Sequence, residues 1–288
     1  MSEHTICTPS LSSSGNSTPD TKVITPLNYP SSLAVSEVGV QCQVRTRIPT
    51  SYGNFYLHVY HSRLDDKEHL ALVFGEDISS TTLNQEWPGD NPTQRIVRGA
   101  KPLVNSTCDP AHTSTLLRIH SECFTGETVG SVRCDCGDQL DTAMHIMAKE
   151  GRGVILYLRQ EGRGIGLLNK MRAYNLQDLG YDTVDANLLL GLPADGRDYQ
   201  VGVSILKDLG VDSVKLLTNN PLKMSQIESS GIEVTERVAM VPREWKDEPH
   251  SVESPPGHSE VDGYIRTKIL RMGHMLQAPI SLDPPHSS

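Results

Sequence analysis

The chain is expected to adopt an α/β fold of the mixed (α+β) kind, and three observations point to it. Short apolar runs of strand length alternate with stretches in which apolar residues recur at helical spacing. Glycine, proline and asparagine clusters separate these runs and serve as turns. Several of the apolar runs end in polar residues, which is where ligands sit in an open α/β sheet.

Taken in order, residues 1–35 are rich in Ser, Thr and Pro and have no apolar periodicity, so they read as a disordered tail. The tail has one lysine, no arginine and no long apolar run, which argues against a transit or signal peptide. Residues 36–245 form the expected catalytic domain. Within it, Phe55, Leu57 and Val59 alternate with Tyr56, His58 and Tyr60 as the two faces of a strand. A second alternation sets Leu117 and Ile119 inward and Arg118 and His120 outward. Leu140, Ala143, Met144, Met147 and Ala148 have helical spacing, and Gly151 and Gly153 then lead into the buried strand VILYL. Val214 to Leu217 is another short strand, closed by Thr218, Asn219, Asn220 and Pro221. Residues 246–288 hold a Pro-rich linker, an amphipathic helix with Val261, Ile265, Ile269, Met272 and Leu276 on one face, and a short tail. No segment is long and apolar enough to span a bilayer.

The net charge of −9 speaks against nonspecific nucleic-acid binding, which depends on phosphate neutralisation. Locally, Arg152, Arg159, Arg163, Lys170 and Arg172 face a single acid, Glu161, and make a patch suited to a small polyanion or else a solvated helix face. Six cysteines in 288 residues and the absence of a secretory signal indicate reduced thiols in an intracellular, cytoplasmic protein, with nuclear entry open.

Three of those cysteines, Cys123, Cys134 and Cys136, have C-x10-C-x-C spacing and can converge on one metal ion. Zinc with three protein ligands keeps a position for water or substrate, whereas a structural zinc closes its tetrahedron. Spacing alone leaves both readings open, with Cys108 or His120 as the fourth ligand of a closed site. The turn Leu158 to Gly166 adds glycines that permit close backbone approach to phosphate, with Arg159 and Arg163 to grip it. It matches neither the P-loop nor the dinucleotide fingerprint.

The segments from Arg118 to Cys123, Arg133 to Gly137, YLRQEGRGIGLLNKMRAYNLQDLGYDT, Pro193 to Asp198 and LLTNNPLK, in this order, resemble GTP cyclohydrolase II, over about Val38 to Val241. The resemblance implies a mixed sheet with flanking helices and a monofunctional, homodimeric enzyme. It implies Zn2+- and Mg2+-dependent conversion of GTP to 2,5-diamino-6-(5-phosphoribosylamino)pyrimidin-4-one, formate and pyrophosphate, the first step of riboflavin synthesis. Cys123, Cys134 and Cys136 match the zinc ligands, one ion per subunit, which favours the open site. Asp195 matches the proton acceptor. Arg197 matches the proposed nucleophile at the α-phosphate, although a guanidinium equally suits an electrostatic clamp. Tyr174 matches the tyrosine beside the purine, and its retention implies complete deformylation. GTP binding falls to Arg118, Ile119, His120, Ser121, Glu122, Gln139, Glu161, Gly162, Arg163, Thr183, Thr218 and Lys223. Of these, Arg118, Arg163 and Lys223 suit phosphate, and Glu161 suits the guanine N1–H and N2–H2 edge. The three cysteines, Tyr174, Asp195 and Arg197 together argue against a relative serving another nucleotide pathway, and a nucleotide sensor or zinc scaffold without turnover would not need Asp195 and Arg197.

Overall fold

A computed structural model describes residues 39–101, 114–241 and 258–276; the expected tail and Pro-rich linker lie outside the described residues. Among the described residues, seven strands form one mixed sheet: β1 Val40–Thr50, β2 Gly53–Ser62, β3 Lys67–Phe74, β4 Thr115–Ser121, β5 Gly153–Leu158, β6 Ser213–Leu217 and β7 Glu233–Val238. Their spatial order is β1-β2-β3-β5-β4-β6-β7. The first three and β5 pair antiparallel, while β5, β4, β6 and β7 run parallel. The helices before the second half of the sheet are α1 Thr81–Asn84, α2 Pro92–Arg98, α3 Phe124–Glu127 and α4 Cys136–Glu150. After β5 come α5 Leu167–Gln177, α6 Thr183–Leu189, α7 Gln200–Asp208, α8 Pro221–Ser229 and α9 His258–Met272. The expected mixed sheet with flanking helices is therefore present.

The sheet is covered on both faces. Tyr60, Leu117, Ile119, Leu156, Leu158 and Leu216 share one core with Val201, Ile205 and Leu206 of α7. Phe55, Phe74, Ile155 and Leu217 share the other with Ala143, Met144 and Met147 of α4. Double coverage explains two departures from expectation. Arg118 and His120 alternate with Leu117 and Ile119 as anticipated, yet they are buried against the α4 side instead of facing solvent, at 7% and 3% exposure. His58 is likewise buried, and burial, helped by the positive charge of Arg45, presses its pKa down to about 4. Parallel strands packed on both sides read poorly as a solvent–core alternation.

Gly151, with φ of 74°, ends α4 in the left-handed region and turns the chain into β5, as its place after the helical run predicts. The C-terminal helix is shorter than its apolar spacing suggests. Gly273 takes φ of 63° after Met272, so Leu276 lies beyond the helix while Ile265 is fully buried.

One buried carboxylate ties α7 to the antiparallel end of the sheet. Asp208 accepts hydrogen bonds from Tyr60 Oη (2.8 Å), Ser80 Oγ (2.5 Å) and the Thr82 amide (2.8 Å). Replacing it strands three buried donors, each costly to leave unsatisfied. Asp208→Ala should lower unfolding free energy by about 3 kcal/mol in urea denaturation, whereas a loss below about 1 kcal/mol would show that the network contributes little.

Candidate active site

Because β4, β5 and β6 run parallel, their carboxyl ends open at one edge of the sheet, where ligands bind in α/β folds. Ser121 ends β4 and leads through Glu122 to Cys123 and the short α3, and Cys134 and Cys136 return beside it as α4 begins. The three sulfurs lie within 4.8 Å of one another, with Cys123 Sγ 3.6 Å from Cys134 Sγ. Tetrahedral zinc with Zn–S bonds of about 2.3 Å sets its sulfurs about 3.8 Å apart, so this donor set fits that ion in size and chemistry. Two glycines permit the convergence. A Cβ on Gly126 would meet Cys134 Sγ at 2.9 Å, and one on Gly137 would meet the Gly126 carbonyl at 2.5 Å.

Glu127 fixes the loop that carries the first thiol. Its Oε1 accepts from the Cys123 amide at 2.8 Å and lies 2.8 Å from His120 Nε2, and its Oε2 accepts from Tyr157 Oη at 2.7 Å. His120 Nε2 is thus engaged by Glu127, and His120 is not part of the thiol group. Among the described residues no fourth cysteine, histidine or carboxylate joins the group. Cys108 lies outside the described residues.

The turn after β5 supplies a second set of groups. Lys170 of α5, buried at 8% exposure, donates to Glu161 Oε1 at 2.8 Å and to Cys123 Sγ at 3.2 Å. Burial opposes its charge, but Glu161 and the Cys123 sulfur together hold the ammonium above its ordinary pKa. Glu161 also accepts from the Phe124 amide at 2.7 Å and the Gly162 amide at 2.9 Å. Three of its roughly four acceptor positions are therefore taken within the protein. In this arrangement about one acceptor position of Glu161 is left open. Tyr174 Oη lies 3.1 Å from Thr125 Oγ1, with its ring under Arg133 and near Lys170. Burial raises the Tyr174 pKa, so the phenol keeps its proton at neutral pH.

Arg163 adopts φ of 60°, a strained value for a non-glycine residue, within the turn Glu161–Gly164. The turn packs backbone to backbone against the Pro193–Asp198 loop. The Gly196 amide donates to the Arg163 carbonyl at 3.0 Å, and a Cβ on Gly164 would meet the Gly196 carbonyl at 2.8 Å. That approach places Arg197 beside Arg163, whose guanidinium reaches Thr183 Oγ1 at 3.3 Å. Arg197 grips Asp195 through Nε (2.8 Å) and Nη2. Burial pushes the Asp195 carboxyl up, but the hydrogen bonds and charge of Arg197 outweigh it and hold it below the usual carboxylate range. Burial likewise works against the Arg197 charge, and Asp195 more than restores it.

Two clefts share this edge. One, of about 680 Å³, is lined by the three thiols, Glu161, Lys170 and Tyr174. The other, of about 600 Å³, is lined by Arg118, Arg163, Arg197, Lys223 and Lys268, with no carboxylate among the described residues of its wall. Ser121, Cys136, Arg163, Arg197 and Tyr264 line both, so the clefts adjoin. In the cationic cleft Arg118 donates to the Leu217 carbonyl at 3.0 Å and to Gln139, and Lys223 donates to the Ile119 carbonyl at 2.9 Å. Thr218 is 1% exposed, and its hydroxyl accepts from the Asn220 amide at 3.1 Å. Burial, then the charges of Arg118 and Arg197, pull the Lys223 pKa down.

Sequence comparison identifies the lineage of this arrangement. The family model for GTP cyclohydrolase II matches residues 41–239. The chain belongs to the GTP cyclohydrolase II family. GTP cyclohydrolase-2 of Meyerozyma guilliermondii is 45% identical over 277 residues, covering 84% of this chain and 81% of that one. GTP cyclohydrolase-2 of Saccharomyces cerevisiae is also 45% identical, covering 84% and 82%. The riboflavin biosynthesis protein RibBA of Salinispora tropica is 47% identical over 84% of this chain but 49% of its own. At this similarity the chain is a hydrolase. A solved two-domain 3,4-dihydroxy-2-butanone 4-phosphate synthase from A. baumannii overlays with a TM-score of 0.36 at 21% identity, covering 70% of this chain and 40% of that one, too distant to bear on fold or function.

Every residue that the resemblance to GTP cyclohydrolase II singles out, apart from Asp195, lines one or both clefts, and Asp195 reaches them through Arg197. The basic patch does not survive as one surface. Arg152 pairs with Asp77 at the opposite end of β5 and Arg159 with Glu122, while Arg172 donates to Asn169 at the surface. Only Arg163 and Lys170 turn into the clefts. Glu127, Tyr264, Lys268 and His274 were not anticipated; a Glu four residues after the first thiol was the one available signal for Glu127. Partners that orient metal ligands typically govern affinity by 10–100-fold. Lys170→Met should therefore weaken zinc retention against a chelator by about tenfold, with Lys170→Arg recovering part of it. Unchanged retention in both variants would remove Lys170 from the support of Cys123.

Proposed function

We propose that the chain opens the imidazole ring of GTP at C8 by hydrolysis and releases formate and pyrophosphate, giving 2,5-diamino-6-(5-phosphoribosylamino)pyrimidin-4-one for riboflavin synthesis. The observation that carries this reading is the adjoining pair of clefts, one with a metal-fitting thiol triad and one with, among the described residues, five cations and no carboxylate. One nucleotide can span them, with its base toward the thiols and its triphosphate, carrying Mg2+, among the cations.

Held by Cys123, Cys134 and Cys136, Zn2+ supplies Lewis acidity for hydrolysis at neutral pH. The chain's own groups do the rest. Tyr174, protonated and anchored on Thr125, can donate to a purine ring nitrogen as the C8 bond opens or orient the attacking water. Two waters are consumed in removing C8 as formate, and a third in cleaving the α–β phosphoanhydride. Arg197, protonated and held by Asp195, is suited to clamp the α-phosphate and stabilise charge as pyrophosphate departs. A guanidinium with its charge reinforced is a poor nucleophile, so the clamp is the role this pairing favours. Asp195 then acts chiefly by orienting Arg197. Arg118 and Lys223 draw the phosphates into place. A catalytic unit spanning 36–245 and assembly as a homodimer belong to the same proposal.

Anaerobic incubation of the zinc-loaded protein with GTP and Mg2+, assayed for formate and pyrophosphate, tests the reading. Equal yields are expected, with formate lost in Cys134→Ser. Pyrophosphate with GMP and no formate would contradict ring opening, and tight GTP binding without any product would point to a sensor.

A further inference from the structure

The family model ends at residue 239, yet the cationic cleft is completed by residues well beyond it. Helix α9 brings Tyr264, Lys268 and Met272 to the cleft wall, and His274 follows in the turn opened by Gly273. This segment is docked at several points. Ile265 is fully buried, Lys268 Nζ donates to Asp135 Oδ1 at 2.6 Å, Arg271 pairs with Asp182 and Asp185, and the Met275 amide donates to the Asn219 carbonyl at 2.8 Å.

We propose that α9 and the turn after it form the outer part of the polyphosphate site, with Lys268 and His274 contacting the β- and γ-phosphates of a guanine nucleotide. The proposal rests on the GTP reading above and extends its binding site into a segment that the family model does not cover.

Three observations support it. First, the residues lining the cleft carry buried polar atoms with no partner among the described residues: Arg118 Nε, His120 Nδ1, Ser121 Oγ and His274 Nε2. Buried donors and acceptors are normally satisfied, and four around one cleft imply a polar ligand. Second, Lys268 gives Asp135 one hydrogen bond, and an ammonium has three donors, so two remain for a ligand. The Tyr264 ring lies under its ammonium at 4.2 Å from the centroid, restricting where those donors point. Third, the surroundings of His274 are short of negative charge. Burial first, then Lys268, Arg197 and Lys223, press its pKa down to about 3, and a phosphate placed among the same cations would relieve their mutual repulsion. Imidazole Nε2 is within the chemistry of a phosphate donor once its N–H tautomer faces the cleft.

The test compares full-length, zinc-loaded wild type with Lys268→Met and His274→Ala, measuring calorimetric affinity for a non-hydrolysable GTP analogue and for GMP. Each variant should weaken the triphosphate by about tenfold, the usual scale of a lost charge-assisted contact, and leave GMP within about twofold. Equal weakening of both nucleotides, or loss of zinc in Lys268→Met, would mean that Lys268 only anchors the Asp135 loop. Unchanged triphosphate affinity in both variants would equally overturn the proposal. Wild type that binds neither nucleotide would instead sink the GTP reading itself. His274 makes no side-chain bond to the metal loop, so its variant remains informative should Lys268→Met fold poorly.

Discussion

Lys170 has an ammonium 2.8 Å from Glu161 and 3.2 Å from the Cys123 sulfur, and through those two contacts it joins the ends of β4 and β5 to α5. Burying a lysine is costly unless its charge is answered, and here two anionic groups answer it. The reverse also holds. Without the ammonium, a carboxylate and a cluster of thiolates would share a confined space and repel one another. Three thiolates on one Zn2+ carry a net charge of −1, which weakens the ion's pull on water compared with neutral imidazole ligands. With zinc held there, an ammonium on Cys123 would offset part of that charge, so the same contact that assembles the loops would also favour hydrolysis.

The sheet determines where this assembly occurs. The parallel run of β5, β4 and β6 points three loops the same way, and each brings a different chemistry: thiols after β4, Glu161 and Arg163 after β5, and Thr218 after β6. Glycine permits the close approaches. Gly126 and Gly137 let the thiols converge, and Gly164 lets the Arg163 turn lie on the Arg197 loop. The result is a separation along one edge, with soft sulfurs that could hold a metal at one end and hard cations suited to phosphate at the other.

Much of this was legible from residue order, because the informative features are local. The thiol spacing, the helix ended by Gly151, the VILYL strand and the polar turn after β6 each occupy one short stretch and appear where expected. Contacts between distant stretches were not legible. Lys170 lies 47 residues from Cys123, and in sequence it was one member of a basic run whose other members mostly proved to be surface pairs. Arg118 and His120 alternate correctly with apolar neighbours, but a charged residue on a strand reads as solvent-facing unless the second covering layer is known. The limit of α9 was missed because apolar spacing continues to Leu276 while the backbone turns at Gly273.

The central claim is that a single nucleotide lies across both clefts with its base at the sulfurs. The most direct test is a crystal structure of the zinc-loaded protein with a GTP analogue whose α–β bridge cannot be cleaved. The account predicts C8 of the guanine facing Cys123, Cys134 and Cys136, the α-phosphate on Arg197, and the remaining phosphates among Arg118 and Lys223. A nucleotide with its phosphates at the thiols, or one confined to the cationic cleft with its base turned away from the metal, would contradict it.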